Sequence, residues 1–168
     1  MCRRAMRLLC AAVLVLCGPL AAPALAQAVA AAAVHERAIH DAARQGAQAD
    51  IERLLAADAS QRDVRTPLGA TPLHHAAMNL DPGPLKALLA AGANPNARDG
   101  EGRTPLHMAA FATRTANAKL LLRGGADPLA KTDAGRDVRS MARKVRADEL
   151  AGVISLWILK GCKPERPC

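Results

Sequence analysis

The sequence predicts an all-α fold, a solenoid of stacked helix-turn-helix units. Three observations carry that reading. Alanine and leucine supply most of a 51% apolar content, whereas aromatics amount to 1%, Phe111 and Trp157 with no Tyr. Such a core favours close-packed helices over a β-sandwich or barrel, which draws on β-branched and aromatic side chains. Second, Thr71-Pro72-Leu73-His74-His75-Ala76 recurs as Thr104-Pro105-Leu106-His107-Met108-Ala109, 33 residues later. Third, Leu88-Leu89-Ala90-Ala91-Gly92-Ala93-Asn94-Pro95 recurs as Leu121-Leu122-Arg123-Gly124-Gly125-Ala126-Asp127-Pro128, again 33 apart.

In chain order, the first element reads as an address. Met1 to Arg7 holds Arg3, Arg4 and Arg7 without an acid, Leu8 to Cys17 is unbroken apolar sequence, and Gly18-Pro19 breaks it. Ala24-Leu25-Ala26 then gives the small-x-small pattern before Gln27. These are the three parts of a secretory signal peptide over residues 1–26. Cleavage after Ala24 also fits, because Ala22-Pro23-Ala24 is equally small. An uncleaved membrane anchor is the weaker alternative, since the run is short for a bilayer. A lipid-modified Cys17 would want a small residue where Leu16 stands. Losing three arginines and no acid, the chain goes from a net charge of +8 to +5. Cys2, Cys10 and Cys17 leave as well, so Cys162 and Cys168 remain in a tail over residues 161–168. An even pair in an exported chain suggests a disulfide, with free thiols or intermolecular pairing as the alternatives. So short a ring contributes at most about 2 kcal/mol and would pin the tail rather than hold the fold. Residues 27–33 are an Ala-rich leader without an assigned role.

The repeats fill residues 34–160. Pro72 and Pro105 suit a first helical turn, where the missing N–H costs nothing. Thr71 and Thr104 stand before them as caps. Ala76-Ala77 and Ala109-Ala110 let neighbouring helices approach closely. Leu88-Leu89 and Leu121-Leu122 belong to the second helix and face the core. Gly92 and Gly125 fall where a helix end needs a left-handed residue. Asp81-Pro82 reads as the cap and first turn of a second helix.

Motif, length and spacing together resemble the ankyrin-repeat family. The resemblance covers nearly all of the chain beyond the leader. It implies about four repeats, two full and two degenerate caps. Ile39-His40-Asp41-Ala42-Ala43 aligns with Leu73 to Ala77 as a first repeat without its Thr-Pro opening, and Gly135 to Ala142 aligns with Gly102 to Ala109 without the Thr-Pro-Leu-His letters. Degenerate ends are expected, because terminal repeats present a polar outer face. Arg98 to Arg103 and Lys131 to Arg136 would be the projecting hairpins. Two departures stand out. The family usually has Gly between its paired helices, where this chain has Leu80 and Thr113, and Asp58 replaces the closing Gly of the first repeat.

The resemblance also implies where a partner binds, at hairpin tips and at inner-helix positions just past the Ala pair. Those inner positions are Arg44, Met78, Phe111 and Lys144, flanked by Gln45, Asn79, Ala112 and Val145. The hairpin positions are Pro67, Leu68 and Ala70, then Glu101 and Arg103, then Ala134 and Arg136. An apolar centre of Met78 and Phe111 between basic ends is expected, and a large exposed apolar side chain marks a binding hot spot. The alternative tucks Phe111 under the turn from Thr113 to Ala116.

Catalytic signatures are missing from the sequence. None of Ser60, Ser140 and Ser155 sits in a Gly-x-Ser-x-Gly elbow, and there is no phosphate-cradling Gly loop. His74 and His107 belong to the repeat and are expected to hydrogen-bond within and between repeats. His35, His40 and His75 show no metal-ligand spacing. No enzyme activity, metal or cofactor is therefore expected. Two rings are too few for a base-stacking surface, so no nucleic-acid partner is expected either. Arg136, Arg139, Arg143 and Arg146 recur at helical spacing opposite Val138, Met141, Ala142 and Val145, which reads as a solvated outer face or as a docking patch for an acidic partner or anionic lipid heads. The expected function is binding of an exported or envelope protein by a monomer, in the periplasm of a bacterium or outside it. The alternatives are a secreted factor acting on a host protein, or a membrane-surface binder using the arginine face.

Overall fold

A computed structural model describes residues 38–162. The signal peptide, the Ala-rich leader and Cys168 lie outside the described residues. The helices are α1 (residues 38–45), α2 (Gln48–Ala57), α3 (Pro72–Met78), α4 (Gly83–Ala90), α5 (Pro105–Phe111), α6 (Thr115–Arg123), α7 (Val138–Lys144) and α8 (Asp148–Leu159), with a 3₁₀ turn at Ala59–Asp63. They form four pairs. Inner helix α3 packs on α5, and α5 on α7, while outer helix α2 packs on α4, and α6 on α8. Inner helices of seven residues are too short to persist alone, so packing holds them. Ala43, Ala76, Ala77, Ala109, Ala110 and Ala142 are fully buried, which is what lets the inner helices approach. Behind them Leu73, Leu85, Leu88, Leu106, Leu121, Leu122, Leu150 and Ile154 fill one continuous core. Truncating any of these to Ala costs about 2–5 kcal/mol.

The Thr-Pro-Leu-His turn starts each central inner helix and joins it to the next repeat. Pro72 and Pro105 occupy the first turn, and Thr71 and Thr104 are the capping residues. The backbone N–H of Thr71 donates to His74 Nδ1 at 3.1 Å. An N–H can only donate, so the ring proton sits on Nε2, and Nε2 donates to the carbonyl of Arg103 at 3.0 Å. His107 repeats this with the Thr104 N–H at 3.2 Å and the Arg136 carbonyl at 3.3 Å. In the last repeat Asp137 and Ser140 take the equivalent positions. Asp137 accepts from the Ser140 N–H at 2.6 Å, and the Ser140 hydroxyl returns to the Asp137 carbonyl at 2.8 Å. The letters are lost but the cap is kept.

Hairpins close as the spacing predicts. Asp99 N–H donates to the Arg103 carbonyl and Thr132 N–H to the Arg136 carbonyl, each at 2.9 Å. Successive hairpins also stack, Gly100 N–H on the Leu68 carbonyl at 2.9 Å and Asp133 N–H on the Glu101 carbonyl at 3.1 Å. Arg65 and Arg98, 33 residues apart, clamp the stack by donating to the carbonyls of Arg98 and Lys131.

Helix ends show where the sequence departs from its own pattern. Gly92 and Gly125 are left-handed, with φ of 82° and 93°, and close α4 and α6 as expected. Thr113 and Arg146 adopt the same conformation without glycine, at φ 58° and 57°. Each closes its helix with a six-residue loop, Arg114 N–H to the Ala109 carbonyl and Ala147 N–H to the Ala142 carbonyl. Helix α3 ends differently. Asn79 is extended, and its amide turns inward to the carbonyls of Ala43 and Gly46 at 3.1 and 3.3 Å. Carbonyls at the end of α3 are bonded by side chains of the next repeat. The Asn117 amide reaches those of Ala76, Ala77 and Asn79, and Arg114 reaches that of Met78.

Asp58, standing where the closing Gly would be, is extended and starts the 3₁₀ turn, accepting from the Ser60 N–H. Two expectations need correction. The cap of α4 lies one residue later than expected, with Asp81 Oδ1 accepting from Gly83 N–H at 2.9 Å. The arginine series does not run along one helix, because α7 spans Val138–Lys144, Arg136 precedes it and left-handed Arg146 follows it.

Two outcomes follow. Asn117→Ala leaves buried carbonyls unsatisfied and is expected to lower unfolding free energy by about 1–3 kcal/mol in urea titration, against less than about 0.5 kcal/mol for exposed Arg123→Ala. Thr113→Gly relieves a left-handed β-branched residue, and a raised urea midpoint worth about 1 kcal/mol is expected.

Candidate partner-binding site

Two hairpins and two inner helices enclose a cavity of about 360 Å³. The hairpin after α4 contributes Glu101 and Arg103, the hairpin after α6 contributes Asp133, Ala134 and Arg136, and α5 and α7 contribute Met108, Phe111 and Met141. Helical geometry explains the floor. Met108 and Phe111 are three residues apart and so share a face, while His107 and Ala110 of the same helix point into the core. Met141 occupies in α7 the motif position that Met108 occupies in α5. Phe111 is 60% exposed. The alternative that it tucks under the following turn is therefore overturned.

The polar wall is held in place by ion pairs. Asp99, whose side chain is 2% exposed, pairs with Arg103 Nε at 2.7 Å, and Arg103 also reaches Glu101 at 3.3 Å. Burial pushes the Asp99 carboxyl up, but the Arg103 side chain and the N–H groups of Arg103 and Glu101 outweigh it and hold the group below the ordinary carboxylate range. Asp133 is engaged by Arg98 at 2.8 Å. The backbone of Arg136 is fixed by Thr132 and His107, whereas among the described residues its guanidinium has no carboxylate partner. The cavity thus offers a thioether and aromatic floor, an oriented Arg103–Glu101 pair and an unpaired cation.

Of the expected contact residues, Glu101, Arg103, Phe111, Ala134 and Arg136 come together in this cavity. Met78 is half-buried one repeat away, and Arg44 and Lys144 are exposed at separate places outside the lining, Arg44 paired with Asp41 at 3.1 Å. Asn79 is a correction. At 8% exposure, with its amide bonded to two carbonyls of the previous repeat, it holds the stack together. Met108 and Met141 were missed by sequence reasoning. Their signal was present, since they fill the variable position of the hexapeptide and of its degenerate copy.

His75 fills that same position in α3 and meets His40 edge to face at 5.3 Å. Neither ring nitrogen of His75 has a hydrogen-bond partner. Burial, then the nearby charges of His40, Arg44 and His74, lower its pKa to about 4, with Asp41 opposing. Among the described residues no three His, Cys, Asp or Glu side chains gather to hold a metal, and no helix is long and apolar enough to cross a membrane.

A family model described as ankyrin repeats, in three copies, matches residues 39–132, more than half of the chain. The chain belongs to the ankyrin-repeat family. Ankyrin repeats are generally protein–protein interaction modules and typically non-catalytic. The fourth ankyrin-like pair, α7–α8, lies beyond the matched segment yet packs on the pair before it, α7 on α5 and α8 on α6. No curated protein matches the chain.

The buried imidazoles give a pH dependence. Burial lowers the pKa of His74 and His107 as it does for His75. For a histidine held neutral by the fold, the stabilisation is complete above the unfolded value of 6.5 and is lost as pH falls towards the folded value, about 4 for His75. Urea midpoints are expected to drop between pH 6.5 and 4, with His75 among the contributors. His75→Gln should make the curve shallower, leaving the slope due to His74 and His107.

Proposed function

We propose that this ankyrin-repeat protein binds a partner protein through the cavity at Phe111, without catalysis, and that it does so in the cell envelope after export. The observation that carries the reading is Phe111 itself, 60% exposed on a methionine floor and walled by Arg103 and Arg136. An exposed ring in a preformed concavity loses little entropy on binding and gains much of its area, which is the anatomy of an interface hot spot. The apolar run and small-x-small site at residues 8–26 support export, and the partner is accordingly an exported or envelope protein. Occluding that partner would inhibit or protect it, and holding it would assemble it.

The test is affinity purification of the tagged chain from its native envelope fraction. One stoichiometric partner is expected. Phe111→Asp should reduce its binding by at least about 30-fold, corresponding to a hot-spot loss of about 2 kcal/mol or more, while the helical circular dichroism stays intact. A partner that tolerates Phe111→Asp would rule out the cavity as its site. Processing is read from the N-terminal sequence of the envelope form, where a start at Gln27 or Leu25 is expected and an intact Met1 would count against export.

A further inference from the structure

Helix α8 is apolar on two flanks. Leu150, Ala151, Ile154 and Trp157 are buried against the core, yet Leu156 is 52% and Leu159 83% exposed. A helix that is apolar around its circumference is normally covered on all sides. Beside the two leucines, α6 and α8 frame a cleft of about 370 Å³, floored by Val153 and Trp157 and edged by Lys119, Arg123 and Lys160. Glu149 reaches Lys119 at 3.5 Å. Among the described residues Arg123 and Lys160 have no carboxylate partner, so the rim carries excess positive charge.

We propose that this outer face docks on an anionic lipid surface, with Leu156 and Leu159 entering the acyl region and Lys119, Arg123 and Lys160 meeting the headgroup phosphates. Cations on long flexible stems around exposed leucines satisfy both halves of a membrane interface at once. Two leucines and a small cleft fall well short of the roughly 800 Å² that each partner gives to a stable protein interface. A second copy of the chain would set the same three cations against each other. The face shares no residue with the cavity at Phe111, so the inference stands apart from the proposed function.

Trp157 is the only tryptophan in the sequence and lines the cleft, so its fluorescence reads this face whatever else in the chain touches lipid. The full chain is mixed with vesicles of phosphatidylglycerol and brominated phosphatidylcholine, and with brominated phosphatidylcholine alone. Quenching of Trp157 is expected on the anionic vesicles and not on the zwitterionic ones. Arg123→Gln with Lys160→Gln should weaken the apparent partition about 25-fold, about fivefold per cation near an anionic surface. Leu156→Ser with Leu159→Ser should abolish the quenching at unchanged circular dichroism. Absence of quenching on anionic vesicles would overturn the proposal, as would quenching indifferent to both pairs of substitutions. Loss of quenching only when Arg139 and Arg143 become Glu would overturn it in favour of the α7 face. Binding to a poly-glutamate peptide without vesicle quenching would overturn it in favour of an acidic protein partner.

Discussion

The proton on Nε2 of His74 and of His107 joins one repeat to the next. Each imidazole accepts from a threonine N–H at the start of its own helix and donates to a carbonyl 29 residues later, at the hairpin that opens the following repeat. The arrangement requires a neutral ring in one tautomer, and burial enforces neutrality by penalising the cation. Hairpin position, helix start and inter-repeat spacing are therefore set by one side chain. The wall of the Phe111 cavity inherits that order, because the carbonyls held by the two rings are those of Arg103 and Arg136.

A second layer of polar side chains completes the joint at the other end of the inner helices. Asn79, Arg114 and Asn117 each cross to a neighbouring repeat and take up carbonyls at a helix end. These groups would otherwise be buried without a partner, which is more costly than the net gain from an ordinary hydrogen bond. The stack is thus polar where the backbone ends and apolar where the helices touch.

Most of this fold is legible in the sequence, because a repeat states its rules more than once. Two copies of Thr-Pro-Leu-His determined the caps, the helix starts and the role of the histidines, and two glycines located the outer-helix ends. What was harder to read depends on backbone choices that leave no letter. Thr113 and Arg146 turn left-handed without glycine, whereas Asn79, next to Leu80, stays extended and swings its amide into the stack. The residue just past the inner helix thus carries a stacking amide at Asn79 and is a half-buried alanine at Ala112. The cavity was legible at Phe111, Glu101, Arg103 and Arg136. It was missed at Met108 and Met141, whose variable motif position lies one turn before the contact positions Phe111 and Lys144 of the same helices.

The short reach of the inter-repeat bonds has a kinetic consequence. Among the described residues the longest span bridged by a side-chain hydrogen bond is 41 residues, from Asn117 to Ala76. Every closure is therefore a modest loop, and contact order does not grow as pairs are added. Folding can begin at any adjacent two pairs and spread outward like a zipper, with each new pair meeting a template already built. Unfolding runs the same path in reverse, from the ends inward. The last part of the molecule to dissolve would be the junction of α3 and α5, where the imidazole and amide bridges meet.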